Sequence, residues 1–468
     1  MRRAGLLLAG ATLLAGCGAA HEAASVPRAA ARAPASAPAH ARHEPDVRLH
    51  RVQVTVLDGD TNRPVPRARV RIGRRTAVAD GRGVARVPIL RRAALVTVAA
   101  KPGYARRAVR LAYRTHPKST IRIYRPALQW SMYGVDPTRS QAQAAIRVRP
   151  PFRVVWSRGL GGLVEFPAVV DAGVAFAGNA HETIRALDMR DGTVIWRRDT
   201  PNGKMASSPA VWGDMVVVHG MDGNVQVLRR GDGRVLWRYA VGSPVESSPV
   251  VVRGLDVFGA WNGVVTALDL RTHRAAWRRA TGCKITSSAA YAHGTLYLGD
   301  YCGRLLALRL SDGALLWSRS VNGRVYGTPA VAGGRVFVPS STGGSLTAFS
   351  THGAFLWQRQ TGAYVYSSPA ASGGRVFFGS YNGVLYALSA RAGATLWARA
   401  TGGPISGAVV VVAGVAYAGS FAHRILGVDA RTGAVVLDFP HGEYVPVSGG
   451  GGRLLLHGYS RVYAVEAR

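Results

Sequence analysis

Few side chains in this sequence are spaced to do covalent chemistry. Ser207, Ser247 and Ser367 look nucleophilic singly, but each opens the same Ser-Ser-Pro string, at 207–209, 247–249 and 367–369. Recurrence at strand starts marks them as turn and strand-cap residues. His181 and His423 have no Asp or Cys at a telling spacing and read as loop residues. His21, His40 and His43 are loosely spaced, with no Cys or carboxylate cluster to complete a metal site. No glycine-rich phosphate loop opens a helix. Glu246 and Glu443 are isolated candidate bases. Cys283 and Cys302 lie 19 residues apart, and their midpoint falls on the turn Ala292-His293-Gly294 between an inner strand 285–291 and a second strand 295–299. A disulfide is expected there, with two free thiols as the alternative; an exported compartment permits the oxidation.

Export is signalled at the front. Arg2 and Arg3 precede an apolar stretch, 5–14, too short to span a bilayer and typical of a secretory signal. It ends in Leu14-Ala15-Gly16-Cys17, which resembles the lipobox of bacterial lipoproteins. The resemblance implies that residues 1–17 are a signal peptide and that Cys17 is lipidated; a plain secreted protein is the alternative. Residues 18–48 are Ala, Pro, His and Arg with almost no large apolar side chain, the composition of a disordered linker. No later segment holds about 18 consecutive apolar residues.

The 468 residues carry 59 Lys+Arg against 25 Asp+Glu, a net +34. Only Lys101, Lys118, Lys204 and Lys284 are lysines, and a GC-rich coding bias produces such an arginine skew unaided, so no nucleic-acid partner is expected. The surplus is concentrated in front: residues 49–125 hold 19 Lys+Arg against Asp58, Asp60 and Asp80, net +16. One face of that segment must be strongly cationic and suited to anionic lipid or an anionic envelope polymer.

Period-two alternation at Val52-Gln53-Val54-Thr55-Val56, a turn at 58–62, and further strands at 68–72, 83–87, 94–99 and 108–111 make 49–125 a small β unit. The string 62–70, Asp80-Gly81 and Lys101-Pro102-Gly103-Tyr104 resemble the carboxypeptidase regulatory-like family. That implies a β-sandwich acting as spacer or adhesion module.

The rest of the chain, 126–468, repeats. Trp156, Trp196, Trp237, Trp277, Trp317, Trp357 and Trp397 are 40, 41, 40, 40, 40 and 40 residues apart, with Leu437 where an eighth would fall. A glycine stands four residues ahead at Gly192, Gly233, Gly313, Gly353, Gly393 and Gly433; His273 is the exception. A 40-residue unit of four short strands without helical periodicity is a propeller blade, and its indole is expected to dock neighbouring blades. With 152–156 supplying the outer strand missing from the tail, an eight-bladed ring closes and no sheet edge is left exposed. The fold class is all-β, an eight-bladed propeller preceded by a small sandwich.

The unit Ala-Leu-Asp-x-x-x-Gly-x-x-x-Trp, with Ala267-Leu268-Asp269 leading to Trp277 and Asp429 to Gly433, resembles pyrroloquinoline-quinone (PQQ)-type propellers, as does the lead-in Trp130-Ser131-Met132-Tyr133-Gly134. That family includes quinoprotein dehydrogenases and partner-binding members such as the outer-membrane assembly lipoprotein. A quinone enzyme needs a hard cation held by oxygen ligands, a carboxylate base and, in many members, adjacent cysteines. The chain has no Cys-Cys pair, and the aligned inner-strand starts Val164, Ala206, Glu246, Thr286, Tyr326, Tyr366, Ser406 and Tyr444 hold one carboxylate. No catalytic residue, cofactor or metal is assigned. Trp261, Tyr301, Tyr381 and Phe421 follow second strands, beside Asn262 and Asn382, on the same face as Tyr326, Tyr366 and Tyr444. Aromatics with amide neighbours suit a protein, peptide or glycan partner; capping of the blade cores is the alternative. The expectation is a monomeric, membrane-anchored envelope protein that binds a protein or peptide partner. A quinoprotein dehydrogenase and a structural protein gripping anionic polymer remain the alternatives.

Overall fold

The computed structural model describes residues 49–90, 93–181, 183–199 and 205–468; Cys17, the signal peptide and the linker lie outside them. Among the described residues no helix is long and apolar enough to cross a membrane.

The leading unit has seven strands: β1 His50–Asp58, β2 Arg69–Ile72, β3 Arg75–Val78, β4 Val84–Ile89, β5 Ala94–Ala100, β6 Arg107–Ala112 and β7 Lys118–Ile123. They form two sheets, β4-β1-β7 and β3-β2-β5-β6. Val52, Val54 and Val56 alternate inward from β1 onto Val70, Ile72, Val87 and Ile121, so the period-two pattern fixes which side becomes core. Two strands exceed the five expected. β3 is a short, mostly exposed edge, and β7 (KSTIRI) buries only its last apolar residues. Neither has enough apolar alternation to announce itself.

Eight sheets follow, seven of four strands and one, blade 7, of five. Blades 1 to 7 occupy 169–199, 210–240, 250–280, 290–320, 330–360, 370–400 and 410–440. Blade 8 combines Gly442–Gly450, Arg453–Gly458 and Arg461–Ala467 with an outer strand from the front of the ring. With β8 as Ala142–Gln143, that outer strand is β9, Phe152–Gly159, antiparallel to Arg461–Ala467. The ring therefore closes by joining first and last strands. The expectation that no sheet edge stays exposed is corrected. Closure seals the gap between blades 8 and 1, but outer strands such as Phe355–Gln360, exposed except at Trp357, remain open at the rim. Arginines along these strands blunt the edges.

The indoles lie in the seams between blades. Trp156, Trp196, Trp277, Trp317, Trp357 and Trp397 each donate their ring N–H to a carbonyl of the next blade, at Met189, Arg230, Leu310, Thr351, Ala390 and Ala430. Each also lies flat against that blade's turn glycine. A Cβ on Gly313 would sit 2.5 Å from the Trp277 ring, and Gly313 has φ +70°. Glycine is needed there for both the backbone conformation and the space.

The lead-in threads the inner edges of the ring and ends as a fifth strand on blade 7. Trp130 exchanges backbone hydrogen bonds with Val170 of blade 1, and Ser131 O accepts from Val211 of blade 2. Pro137, Thr138, Ser140 and Gln141 carbonyls accept from Tyr291, Val331, Ala371 and Val411 of blades 4 to 7, and β8 continues as a parallel strand on Val411–Val412. Inner strands expose an unpaired backbone edge toward the channel, and this segment satisfies it. Arg139, fully buried, donates to the carbonyls of Ser248, Pro249, Ala289 and Tyr133. Burial pushes its pKa down to about 10, so the caged guanidinium stays charged at neutral pH.

Candidate partner-binding face

A repeated backbone contact builds the loops at one end of the propeller. Trp261, Tyr301, Tyr381 and Phe421 each donate their N–H to a carbonyl in the loop entering the same blade, at Pro244, Lys284, Tyr364 and Pro404. The two loop types therefore share one face, and the side chains take equivalent places on blades 3, 4, 6 and 7.

At those places the rings meet. Tyr301 and Tyr326 have centroids 4.6 Å apart, Tyr326 and Tyr366 5.1 Å, and Tyr366 and Tyr381 4.9 Å. Tyr381 and Phe421 are 5.9 Å apart, and Phe421 and Tyr444 5.7 Å. The tilted and edge-on angles are those that aromatic quadrupoles favour. Lys284 carries the arc to blade 3, its Nζ 3.4 Å from the centroid of Trp261 and 4.8 Å from that of Tyr301. Trp261 donates its indole N–H to Glu246 at 3.0 Å. All seven aromatic residues expected on this face thus join one arc from blade 3 to blade 8. The two asparagines act differently: the side-chain oxygens of Asn262 and Asn382 accept from Val264 and Val384 within their own turns. They shape the loops.

Inside the arc lies a cavity of about 250 Å³. Glu246, Thr286, Tyr326, Tyr366, Ser406 and Tyr444 of the inner-strand ring line it, and Tyr133 contributes from the lead-in. Val164 and Ala206 of that ring are buried instead, and Glu165, one residue on, takes the place on blade 1. Burial raises the Tyr366 phenol, pushes Tyr444 up to about 12 and, with the Tyr326 hydroxyl, raises Tyr301 further. These rings are neutral hydrogen-bonding groups at any physiological pH. Glu443 lies 3.4 Å from the exposed His423, so the partner of this histidine is a glutamate 20 residues on rather than an Asp or Cys.

Tyr364 was also missed. It is 50% exposed and packs on Tyr366 and Tyr381. The signal was available, since it stands two residues before Tyr366 in the same loop. Nothing in the sequence revealed Tyr133, because its place depends on the path of the lead-in. The recurring serines are spent structurally: Ser207 Oγ donates to His219 O, Ser247 Oγ donates to Gly259 O, and Ser367 Oγ accepts from the Gly379 N–H. Cys283 and Cys302 are joined, with Cα atoms 5.9 Å apart. The inner strand beside them is only Ala290–Ala292 rather than 285–291, so the bond ties an entry loop to the turn after the second strand.

A sequence profile of the family described as outer membrane protein assembly factor BamB matches residues 141–260 and 261–468. The chain belongs to that family. The BamB protein of Bordetella pertussis (strain Tohama I) is 28% identical over 90 residues, 19% of this chain and 23% of that protein. The match therefore spans less than a quarter of the curated relative. The crystal structure of BamB from Moraxella catarrhalis superposes with a TM-score of 0.60 at 16% identity, covering 67% of this chain and 99% of that one. Quinohemoprotein alcohol dehydrogenase from Comamonas testosteroni gives 0.62 at 14%, covering 72% and 80%. At such identities the structures share the fold alone.

The cavity holds part of the set of groups that a quinone enzyme needs. Glu165 and Glu246 supply carboxylates to the cavity. Among the described residues no three His, Cys, Asp or Glu side chains converge to hold a cation, and neither cysteine lines the cavity.

Proposed function

We propose that this BamB-family chain is a non-catalytic, extracytoplasmic binding protein that holds a protein or peptide partner of the cell envelope on its aromatic loop face. The observation that carries this reading is the ring arc from Tyr301 to Tyr444, extended to Trp261 through Lys284, with Tyr364 half-exposed on it. Large rings already packed on one another lose little side-chain freedom on binding, which is what an interface hot spot requires. The family description, outer membrane protein assembly, directs the search for the partner to envelope assembly proteins. In this reading the chain is a monomer held at the membrane by a lipidated Cys17, testable by mass spectrometry of the mature N-terminus. A photo-crosslinker at Tyr364 should capture one dominant envelope protein in cells, whereas the same group on the outer strand, at Arg359, should not. Equal, diffuse capture from both positions would defeat the reading.

A further inference from the structure

We propose that the outward face of the sandwich sheet β3-β2-β5-β6 is a contact surface for anionic phospholipid membranes, independent of the propeller face. In this sheet Val70, Ile72 and Ala99 turn into the core, so residues of the opposite parity face outward. On that parity three arginines each stand directly across a strand pair from a valine: Arg69 from Val78, Arg71 from Val98 and Arg110 from Val96. The arginines are exposed, and Val78 and Val96 are 60% and 54% exposed.

The carboxylates of the unit are engaged elsewhere. Asp58 accepts from Tyr104 at 2.7 Å and pairs with Arg125 at 3.1 Å. Asp60 accepts from the Arg125 N–H and from Gln129, and Asp80 accepts from the Val84 N–H and pairs with Arg86. None of the three is spent on Arg69, Arg71 or Arg110, and the segment 49–125 as a whole keeps its net +16.

Charge by itself would suit any polyanion; the valines decide between occupants. At a bilayer, guanidinium groups meet headgroup phosphates while their alkyl stems and the neighbouring valines cover the apolar boundary. A soluble polyanion offers those valines nothing. Val98, opposite Arg71, is buried, but exposed valines opposite Arg69 and Arg110 give this face the mixed character of an interfacial surface.

The test uses the chain from Gly18 onward, without the apolar stretch 5–14 or Cys17, and phosphatidylcholine vesicles with or without about 30 mol% phosphatidylglycerol. The unaltered chain should cosediment with the anionic vesicles only, and less so at high salt. Arg69→Ala/Arg71→Ala/Arg110→Ala should bind about 100-fold more weakly, at about fivefold per cation near the surface. Val78→Ser/Val96→Ser, with unchanged charge, should bind vesicles several-fold more weakly yet bind polyphosphate as before. Vesicle binding indifferent to the arginine substitutions would overturn the proposal. So would polyphosphate binding without vesicle binding, which would make a soluble polyanion the occupant.

Discussion

The imidazole of His273 stacks on the indole of Trp237, with centroids 4.5 Å apart and rings 23° from parallel. At the six other tryptophan seams a glycine meets the indole, and this ring contact fills the same place. His273 has φ +62°, so it adopts the glycine-like turn and offsets the backbone cost by stacking.

His273→Gly should stay within about 1 kcal/mol of the parent, since the ring contact is exchanged for relief of the left-handed backbone. His273→Ala, which loses the ring and keeps the strain, should cost about 1–2 kcal/mol. Gly313→Ala should cost about 3 kcal/mol, because its Cβ meets the Trp277 ring and its φ is positive. Urea unfolding followed by tryptophan fluorescence ranks the three. Indifference to Gly313→Ala would contradict the seam argument.

The disulfide gives a second expectation. The chain from Gly18 onward, denatured without reductant, should show no reactive thiol, because Cys283 and Cys302 are its remaining cysteines and are joined. Cys283→Ala/Cys302→Ala should lose about 3 kcal/mol for a closed loop of this size. Two titratable thiols in the oxidised protein would refute the bond.

His457 sets a pH dependence. It is buried in blade 8, where its Nε2 accepts the Ala168 N–H at 3.1 Å, and burial pulls its pKa from 6.5 down to about 4. The folded state favours neutral imidazole, so its contribution is full above pH 6.5 and is lost as pH falls toward 4, by about 3 kcal/mol. His457→Gln should flatten the stability profile across that window. An NMR titration of His457 with an unshifted midpoint would remove the basis for the expectation.

The ring of blades was legible because one large flat side chain and one turn glycine must recur wherever equal units dock. The arc was legible for the same reason, since an equivalent position on successive blades opens on one face. Other parts left little trace. β7 is mostly polar on its way to Ile121 and Ile123, and the lead-in meets the blades through backbone carbonyls, to which side-chain identity is nearly indifferent. Glu165 stands one residue beyond its blade's equivalent position, Val164, and Tyr364 two residues before its own, Tyr366.

The last expectation concerns the loop face itself. Tyr364→Ala removes a half-exposed ring that packs only at the edges of Tyr366 and Tyr381, so it should weaken partner capture about tenfold or more, as loss of an interface anchor does, while leaving the unfolding midpoint nearly unchanged. Tyr326→Ala/Tyr366→Ala/Tyr381→Ala should abolish capture, with a modest loss of stability because these rings also support one another. The single substitution separates the roles: a residue that merely caps the blades would lower the midpoint and spare capture. Incubation with PQQ and calcium should leave no cofactor on the protein after gel filtration and no dye reduction with alcohols or sugars, since among the described residues no three His, Cys, Asp or Glu side chains converge to hold the cation. Stoichiometric retention with turnover would overturn the binding reading and make Glu165 and Glu246 the carboxylates to replace first. Capture lost in the Tyr364 variant together with absent retention would leave the aromatic arc as the working part of the propeller.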